Sequence, residues 1–180
     1  VRSRRQRQMC IRDSHQIAHS LENESLTLYR RFGYGTSAFS EGWALYAEQL
    51  ALEAGLAENP YDELGILQSE IFRAVRLVVD TGMHYKKWTR EEAMKYMKSI
   101  TGMSDTEVRV EIERYIVWPG QALSYKVGML KMLELRDKAK NELGDKFNIK
   151  DFHSAVLDHG NPPLFIVEEM VNKMIEEAKS

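Results

Sequence analysis

Apolar side chains recur at every third or fourth position along most of the chain, which is the spacing of one face of an α-helix. The first such stretch covers residues 15–32, and a break that contains glycine at 33–37 separates it from a second predicted helix at 37–56. The nearest candidate for a β-strand, Val75 to Val79, lies inside a helix-length pattern. The pattern therefore predicts an all-α fold.

Local signals mark where the later helices begin and end. Asn59 is placed as an N-cap residue before a proline, while Thr89 and Ser104 each begin a capping box that closes with a glutamate three residues later. Pro119 interrupts helical sequence, and the long helix predicted after it ends at Gly144. No repeat of fixed period occurs, which disfavours a helical solenoid. The predicted later helices cover about 60–85, 89–100, 104–117, 120–143, 151–160 and 162–178.

Composition excludes several classes of protein. The chain has 180 residues, 43% of them hydrophobic, a net charge of −2 and a single cysteine. These values are typical of a folded domain and exclude a disulfide framework or a cysteine-rich metal cluster. The near-neutral charge gives no reason to expect nucleic acid as a partner. No apolar run is long enough for a transmembrane segment.

The first fourteen residues differ from the rest of the chain. VRSRRQRQMCIRDS has five arginines and one acid, a net charge of +4, which leaves 20 basic and 26 acidic residues in 15–180, a net charge of −6. A basic arm that binds nucleic acid or membrane is one interpretation. A signal peptide is disfavoured because no apolar segment follows the arginines. We favour a non-native leader at 1–14, because MCIRDS resembles translated adapter sequence, and this places the native helical portion at 15–180.

Glu41 is the first candidate for chemistry, in the first turn of the predicted second helix. One interpretation is a glutamate favoured there by the helix dipole. The neighbouring Gly42 is harder to explain in this way, since a glycine inside a helix costs about 1 kcal/mol relative to alanine. It indicates the close approach of another backbone or of a ligand.

The third helix has a polar stripe with spacings of three and four residues. Its members are Arg73, Arg76, Asp80 and His84. The stripe is either the solvated face of an amphipathic helix, which its extension to Glu70 and Lys87 favours, or an internal network that lines a cleft, which the wide apolar surface favours. The sequence leaves both interpretations open.

The segment ERYIVWPGQALSYKVG, at 113–128, contains the Pro119-Gly120 break. Its aromatic and amide residues form either a packed corner between two helices or a substrate wall whose hydroxyl and amide groups face a carbonyl. These residues are Tyr115, Trp118, Gln121 and Tyr125.

Histidines outside these segments carry weaker signals. His153 and His159 are predicted to be core or capping residues. His15 and His19 have a spacing of four that can bind zinc from one helix face, but no glutamate follows His15 as the zincin pattern requires.

Four separated blocks carry a family resemblance. They are FSEGWALYAEQL (39–50), RAVRLVVDTGMHYKKWTREEA (73–93), ERYIVWPGQALSYKVG (113–128) and LGDKFNIKDFHSAVLDHGNPPL (143–164). Together they resemble the C-terminal part of the bacterial "domain of unknown function 885" family. Members of that family resemble zincin metallopeptidases with a mainly helical fold, so the resemblance implies that 15–180 is the C-terminal helical portion of such a fold.

The resemblance also implies residue roles. Glu41 would be a zinc ligand. The residues His84, Tyr115 and Tyr125 would be catalytic, and Arg76, Asp80 and Gln121 would bind substrate. The family's HExxPGH motif is expected just before Gln16, where this sequence has no such motif. We therefore expect this chain to bind zinc weakly or not at all and to be inactive.

The implied activity of the intact parent is hydrolysis of peptide or small amide substrates by zinc-activated water. The alternative is a non-catalytic all-α module that binds a peptide or a protein partner. The resemblance implies a bacterial source, and export to the periplasm or anchoring as a lipoprotein stays open for the parent. The substrate and the oligomeric state are not predicted.

Overall fold

The computed structural model describes residues 16–33, 35–57 and 59–180, and within these ranges it contains helices and turns but no β-strand. The all-α prediction is therefore confirmed. The predicted leader at 1–14 and His15 lie outside the described residues. The helices are α1 (16–22), α2 (Ser37–Glu53), α3 (Pro60–His84), α4 (Arg90–Thr101), α5 (Asp105–Val117), α6 (Ser124–Leu143), α7 (Ile149–Leu157) and α8 (Leu164–Lys179).

The prediction of one continuous helix over 15–32 is wrong. Helix α1 ends at residue 22, and the side chain of Asn23 accepts hydrogen bonds from the backbone N–H and hydroxyl of Ser25, at 3.1 and 2.6 Å. Such local bonds stabilise a turn in competition with the helix. A short π-helical turn, Tyr29–Gly33, then leads towards α2.

The predicted helix starts are confirmed by their capping hydrogen bonds. The Asn59 side chain accepts from the backbone N–H of Tyr61 at 2.9 Å. Thr89 and Ser104 begin complete capping boxes, in which the glutamate three residues later accepts from the backbone N–H of the cap residue. Each box satisfies two backbone donors that a helix start otherwise leaves unpaired.

The break at Pro119 is also confirmed. Helix α5 ends at Val117, and Gly120 adopts the left-handed φ of 80°. A 3₁₀ turn, Gln121–Leu123, then leads into α6. Glycine adopts this φ without the steric cost that other residues meet.

The chain divides into two compact units, which we describe separately. Unit 1 comprises 1–47 and 127–180, and unit 2 comprises 48–126. Unit 2 packs α3, α4 and α5 around a buried core of Val75, Val79, Met83, Ala93, Met97, Val108, Ile112, Tyr115 and Ala122. Buried apolar side chains of unit 1 include Phe39, Trp43, Tyr46, Met132, Leu135, Phe152, Val167 and Val171.

Within the described ranges, no helix is both long and apolar enough to cross a membrane.

Candidate functional site

The polar stripe of α3 is buried in unit 2. Arg76 and Asp80 are each only 2% exposed, and Arg73 is also buried. The apolar residues Ile71 and Val78, in contrast, are 44% and 38% exposed. The interpretation of the stripe as a solvated helix face is therefore wrong, and its residues Arg73, Arg76 and Asp80 are internal. A cleft lined by the stripe stays a prediction. Burial requires that these charges find partners within the protein.

The guanidinium group of Arg76 lies among aromatic rings. Its Cζ atom is 4.4 Å from the ring centroid of Tyr125, 5.2 Å from that of Tyr115 and 5.7 Å from that of Phe72. One terminal nitrogen donates to Oε1 of Gln121 at 3.1 Å. Rings at these distances attract the cation through their quadrupoles, which partly replaces the water that Arg76 has lost.

Asp80 contacts the break between α5 and α6. Its carboxylate oxygens accept from the backbone N–H of Gly120 at 3.2 and 3.3 Å. That N–H belongs to no helix, because the chain turns at Pro119. Asp80 therefore satisfies a backbone donor that the break exposes.

His84 contacts the same region through the end of α5. Its Nε2 lies 3.0 Å from the backbone carbonyl oxygen of Tyr115. Because a carbonyl only accepts, Nε2 carries the proton in this contact and donates it. In a neutral imidazole, only Nδ1 is then left to accept a hydrogen bond from another group.

Tyr115 is buried, and its hydroxyl donates to a carboxylate oxygen of Glu111. Burial raises the pKa of Tyr115 well above its ordinary value, so the phenol stays neutral. Burial opposes ionisation of Glu111, but hydrogen bonds from Tyr115 and Arg114 outweigh it and lower the pKa of that carboxyl. Sequence reasoning missed Glu111, although its spacing of four from Tyr115 on one helix was a usable signal.

The structure brings six sequence-predicted residues together in unit 2. We call them the Arg76 network: Arg76, Asp80, His84, Tyr115, Gln121 and Tyr125. Most of their polar atoms bond to the protein itself. The donors without a bond in the described part of the chain include Nε of Arg76, which is buried, and the amide nitrogen of Gln121. Trp118, by contrast, is 61% exposed.

Glu41 lies in unit 1, half-buried on α2. Because α2 begins at Ser37, Glu41 is the fifth residue of the helix, so its predicted place in the first turn is wrong. The helix dipole acts mainly within the first turn and so explains this glutamate less well than expected. No hydrogen bond or ion pair joins its carboxylate to any residue that the structure describes.

Gly42 allows α2 and α6 to touch backbone to backbone. A Cβ atom on Gly42 would lie 2.5 Å from Cα of Gly128, and one on Gly128 would lie 1.9 Å from the carbonyl oxygen of Ala38. The expectation that Gly42 marks a close approach is confirmed, and the partner is another backbone. Glu41 is thus next to a fixed helix crossing.

The donor set of the described residues fits a metal only in part. Among them, no group of three or more His, Cys, Asp or Glu side chains is arranged to hold a metal ion. Glu41 offers a carboxylate with no described partner, which fits one ligand of such an ion.

His153 occupies a part-buried aromatic cluster in unit 1. Its Nε2 is 3.0 Å from the Tyr46 hydroxyl oxygen, and its ring meets Trp43 edge-on at 5.4 Å between centroids. Burial, followed by the positive charge of Arg136, lowers the pKa of His153. The prediction of a core histidine is confirmed. His19, in contrast, is exposed and lies 2.8 Å from Asp158.

This environment predicts a loss of stability in mild acid. In the unfolded chain a histidine with the ordinary pKa of 6.5 binds a proton as the pH falls from 7 towards 5, whereas folded His153 resists protonation. The unfolded state then binds more protons, so the free energy of unfolding decreases over this range. We expect the melting temperature to fall less in His153→Gln than in the wild type over this pH range. Equal slopes of melting temperature against pH in the two proteins would contradict the assignment.

The fold and the buried charges define an all-α protein with a charged network inside one helical unit. The family model described as "Bacterial protein of unknown function (DUF885)" matches residues 14–171, so the chain belongs to that family. No curated protein matches the chain.

The solved structures that are similar to this chain include two bacterial proteins. The putative lipoprotein from Colwellia psychrerythraea is 52% identical, with a TM-score of 0.86 over 90% of this chain and 28% of that one. A putative lipoprotein of unknown function from Shewanella oneidensis is 26% identical, with a TM-score of 0.81 over 88% of this chain and 29% of that one. The chain therefore spans less than a third of the length of either relative.

Proposed function

We propose that residues 15–180 are the C-terminal helical part of a zinc-dependent hydrolase of peptide or amide bonds, in which Glu41 is one metal ligand. The observation that carries this proposal is the half-buried carboxylate of Glu41, which has no partner among the described residues and lies beside the fixed contact of Gly42 with Gly128. A rigid support of this kind keeps a ligand in place.

The remaining ligands would come from outside the described residues. When bound, zinc would supply a Lewis acid that activates water for attack on a carbonyl carbon. Within unit 2, Gln121 retains an amide nitrogen that can donate to a substrate carbonyl, and we propose it as a substrate-binding residue. Tyr125, whose ring centroid lies 4.4 Å from Cζ of Arg76, stays a proposed catalytic residue.

The other residues of the Arg76 network have polar atoms that already bond to the protein. The Asp80 carboxylate accepts a hydrogen bond from the backbone N–H of Gly120. His84 donates to the backbone carbonyl of Tyr115, and the Tyr115 hydroxyl donates to the carboxylate of Glu111. These contacts favour positioning roles for Asp80, His84 and Tyr115. The Nδ1 atom of His84 is the group through which a catalytic role would act.

A non-catalytic module that binds a peptide or protein partner is the second candidate. The exposed apolar corner at the end of α5 favours it, because Val117 is 80% exposed and Trp118 is 61% exposed. Apolar side chains exposed side by side are typical of contact surfaces. This candidate predicts no bound zinc and no hydrolysis.

We also propose export of the protein, as a periplasmic protein or a lipoprotein. The support is that the two solved structures named above are described as putative lipoproteins. Fractionation of cells that express the complete gene would place the protein in the membrane or periplasmic fraction, and recovery in the cytoplasmic fraction alone would contradict this.

The metal proposal predicts a large effect of Glu41→Ala on zinc binding by the complete gene product. We expect zinc affinity to fall by more than about 100-fold, because even partners outside the first ligand shell are worth about 10- to 100-fold. The zinc content after dialysis against a competing chelator measures this. The control is Glu53→Ala, which removes an exposed carboxylate from the same helix.

Equal zinc content in the wild type and Glu41→Ala would contradict the role of Glu41. A zinc-free wild type without hydrolytic activity would favour the binding module. For the 180-residue chain alone, we expect only weak zinc binding, and tight one-to-one binding that Glu41→Ala abolishes would overturn that expectation.

A further inference from the structure

A pocket of about 420 Å³ lies in unit 2, on α4 and the turn before it. It is lined by Trp88, Glu92, Lys95, Tyr96 and Ser99, none of which is a candidate from the sequence. The volume is within the range of pockets that hold small molecules.

The floor of the pocket is an aromatic pair. The rings of Trp88 and Tyr96 have centroids 5.5 Å apart at 54° to one another, and both side chains pack partly buried against the core of unit 2. The indole lies on Gly82, where a Cβ atom would be 2.5 Å from Cε3 of Trp88. The backbone N–H of Trp88 donates to the carbonyl of Gly82 at 2.9 Å. The floor is therefore fixed before any ligand binds, which lowers the entropy cost of binding.

The backbone beside Trp88 supports a functional interpretation. Lys87 has a φ of 61°, the one positive φ of a non-glycine residue in the ranges that the structure describes. A side chain with a Cβ is uncommon in this conformation, and such residues cluster at ligand sites. The turn at Lys87 sets the indole of Trp88 against Gly82.

The rim of the pocket has one acidic side chain, Glu92, and one basic side chain, Lys95. Glu92 and Lys95 are three residues apart on α4, so they share a helix face. One carboxylate oxygen of Glu92 accepts from the backbone N–H and the hydroxyl of Thr89, which leaves the other oxygen for a ligand. These bonds lower the pKa of Glu92, so it is ionised at neutral pH. Lys95 has no hydrogen bond or ion pair within the described ranges.

We propose that this pocket binds a free α-amino acid with an aromatic or large apolar side chain. The side chain packs on Trp88 and Tyr96, the ammonium group binds the free oxygen of Glu92, and the carboxylate binds Lys95. Glu92 and Lys95 line the pocket together with the apolar floor. A zwitterion has one group of each charge and therefore complements these two side chains. The inference does not depend on Glu41 or on bound zinc.

Nuclear magnetic resonance of the ¹⁵N-labelled chain with L-phenylalanine tests the proposal. We expect the indole N–H signal of Trp88 to shift with a dissociation constant of about 1 mM, a value in line with the usual affinity per atom of a ligand this small. L-phenylalaninamide lacks the carboxylate and is expected to bind about tenfold more weakly, since a hydrogen bond to a charged group has about that value.

Two lysine variants test whether Lys95 binds the carboxylate of the ligand. Lys95→Ala removes an exposed side chain and is expected to lower the affinity for L-phenylalanine about tenfold while leaving the affinity for L-phenylalaninamide unchanged. Lys98→Ala is the matched control, because Lys98 is exposed on the same helix but does not line the pocket. Lys98→Ala should bind L-phenylalanine with the affinity of the wild type.

Three results would overturn the proposal. The first is an unshifted Trp88 indole signal at about 10 mM L-phenylalanine, ten times the expected dissociation constant. The second is equal affinity of the wild type for the acid and its amide. The third is an unchanged affinity of Lys95→Ala for L-phenylalanine.

Discussion

Gly128→Ala is expected to lower the free energy of unfolding by about 3 kcal/mol, the upper end of the usual cost of overpacking. The added methyl group would lie 1.9 Å from the carbonyl oxygen of Ala38 and 2.7 Å from Cα of Gly42. Both are backbone atoms of α2, so no side-chain rotation relieves the clash. In a helix with open space at this position, the same change would raise the free energy of unfolding by about 1 kcal/mol. The contact with α2 is therefore the reason that Gly128→Ala is expected to destabilise the protein.

Urea denaturation measures this effect, with two controls. Ala38→Gly combined with Gly128→Ala should recover nothing, because the clash is with a carbonyl oxygen and not with the Ala38 side chain. Gly102→Ala has open space and a φ of 65°, and should lose only about 1 kcal/mol through its left-handed backbone. A Gly128→Ala protein as stable as the wild type would show that α2 and α6 do not touch at this point.

Arg76→Ala has the second large expected effect, a loss of about 4 kcal/mol, as for other large buried side chains. Arg76 is 2% exposed, and its removal leaves a cavity beside Tyr115 and Tyr125. It also leaves Oε1 of Gln121 without its donor. Urea denaturation again gives the measurement.

Arg76→Met separates volume from charge. Methionine fills much of the same space but does not donate to Gln121, so we expect a loss of about 1–2 kcal/mol, the usual cost of an unsatisfied polar group. Equal losses in Arg76→Met and Arg76→Ala would show that the charge, and not the packing, stabilises unit 2. A loss below about 1 kcal/mol in Arg76→Ala would contradict the buried position of the side chain.

The sequence predicted those parts of the fold that local interactions determine. The starts at Asn59, Thr89 and Ser104 depend on hydrogen bonds within four residues, and the structure has all of them. The first segment was predicted wrongly because Asn23 makes an equally local turn inside an apparently helical pattern. The predicted start of α2 at Ser37 is confirmed, but Glu41 is the fifth residue counted from it and so lies beyond the first turn in which it was placed.

The candidate site was predicted less completely. Periodicity identified the stripe of α3, but an exposed and a buried stripe have the same spacing, and only tertiary packing shows that Arg76 and Asp80 are buried. Gly42 signalled a close approach, but its partner Gly128 is far along the chain. No sequence pattern identified Trp88 as a pocket residue, because the pocket depends on the contact of its indole with Gly82 in the folded protein.

Glu41 as a metal ligand is tested most directly by crystallography of the complete gene product grown with zinc, with anomalous scattering recorded at the zinc absorption edge. We expect one strong anomalous peak in contact with the Glu41 carboxylate in the wild type, and none at that place in Glu41→Ala. A zinc peak held entirely by other residues, or an enzyme that hydrolyses peptides equally well with Glu41 replaced, would contradict the assignment.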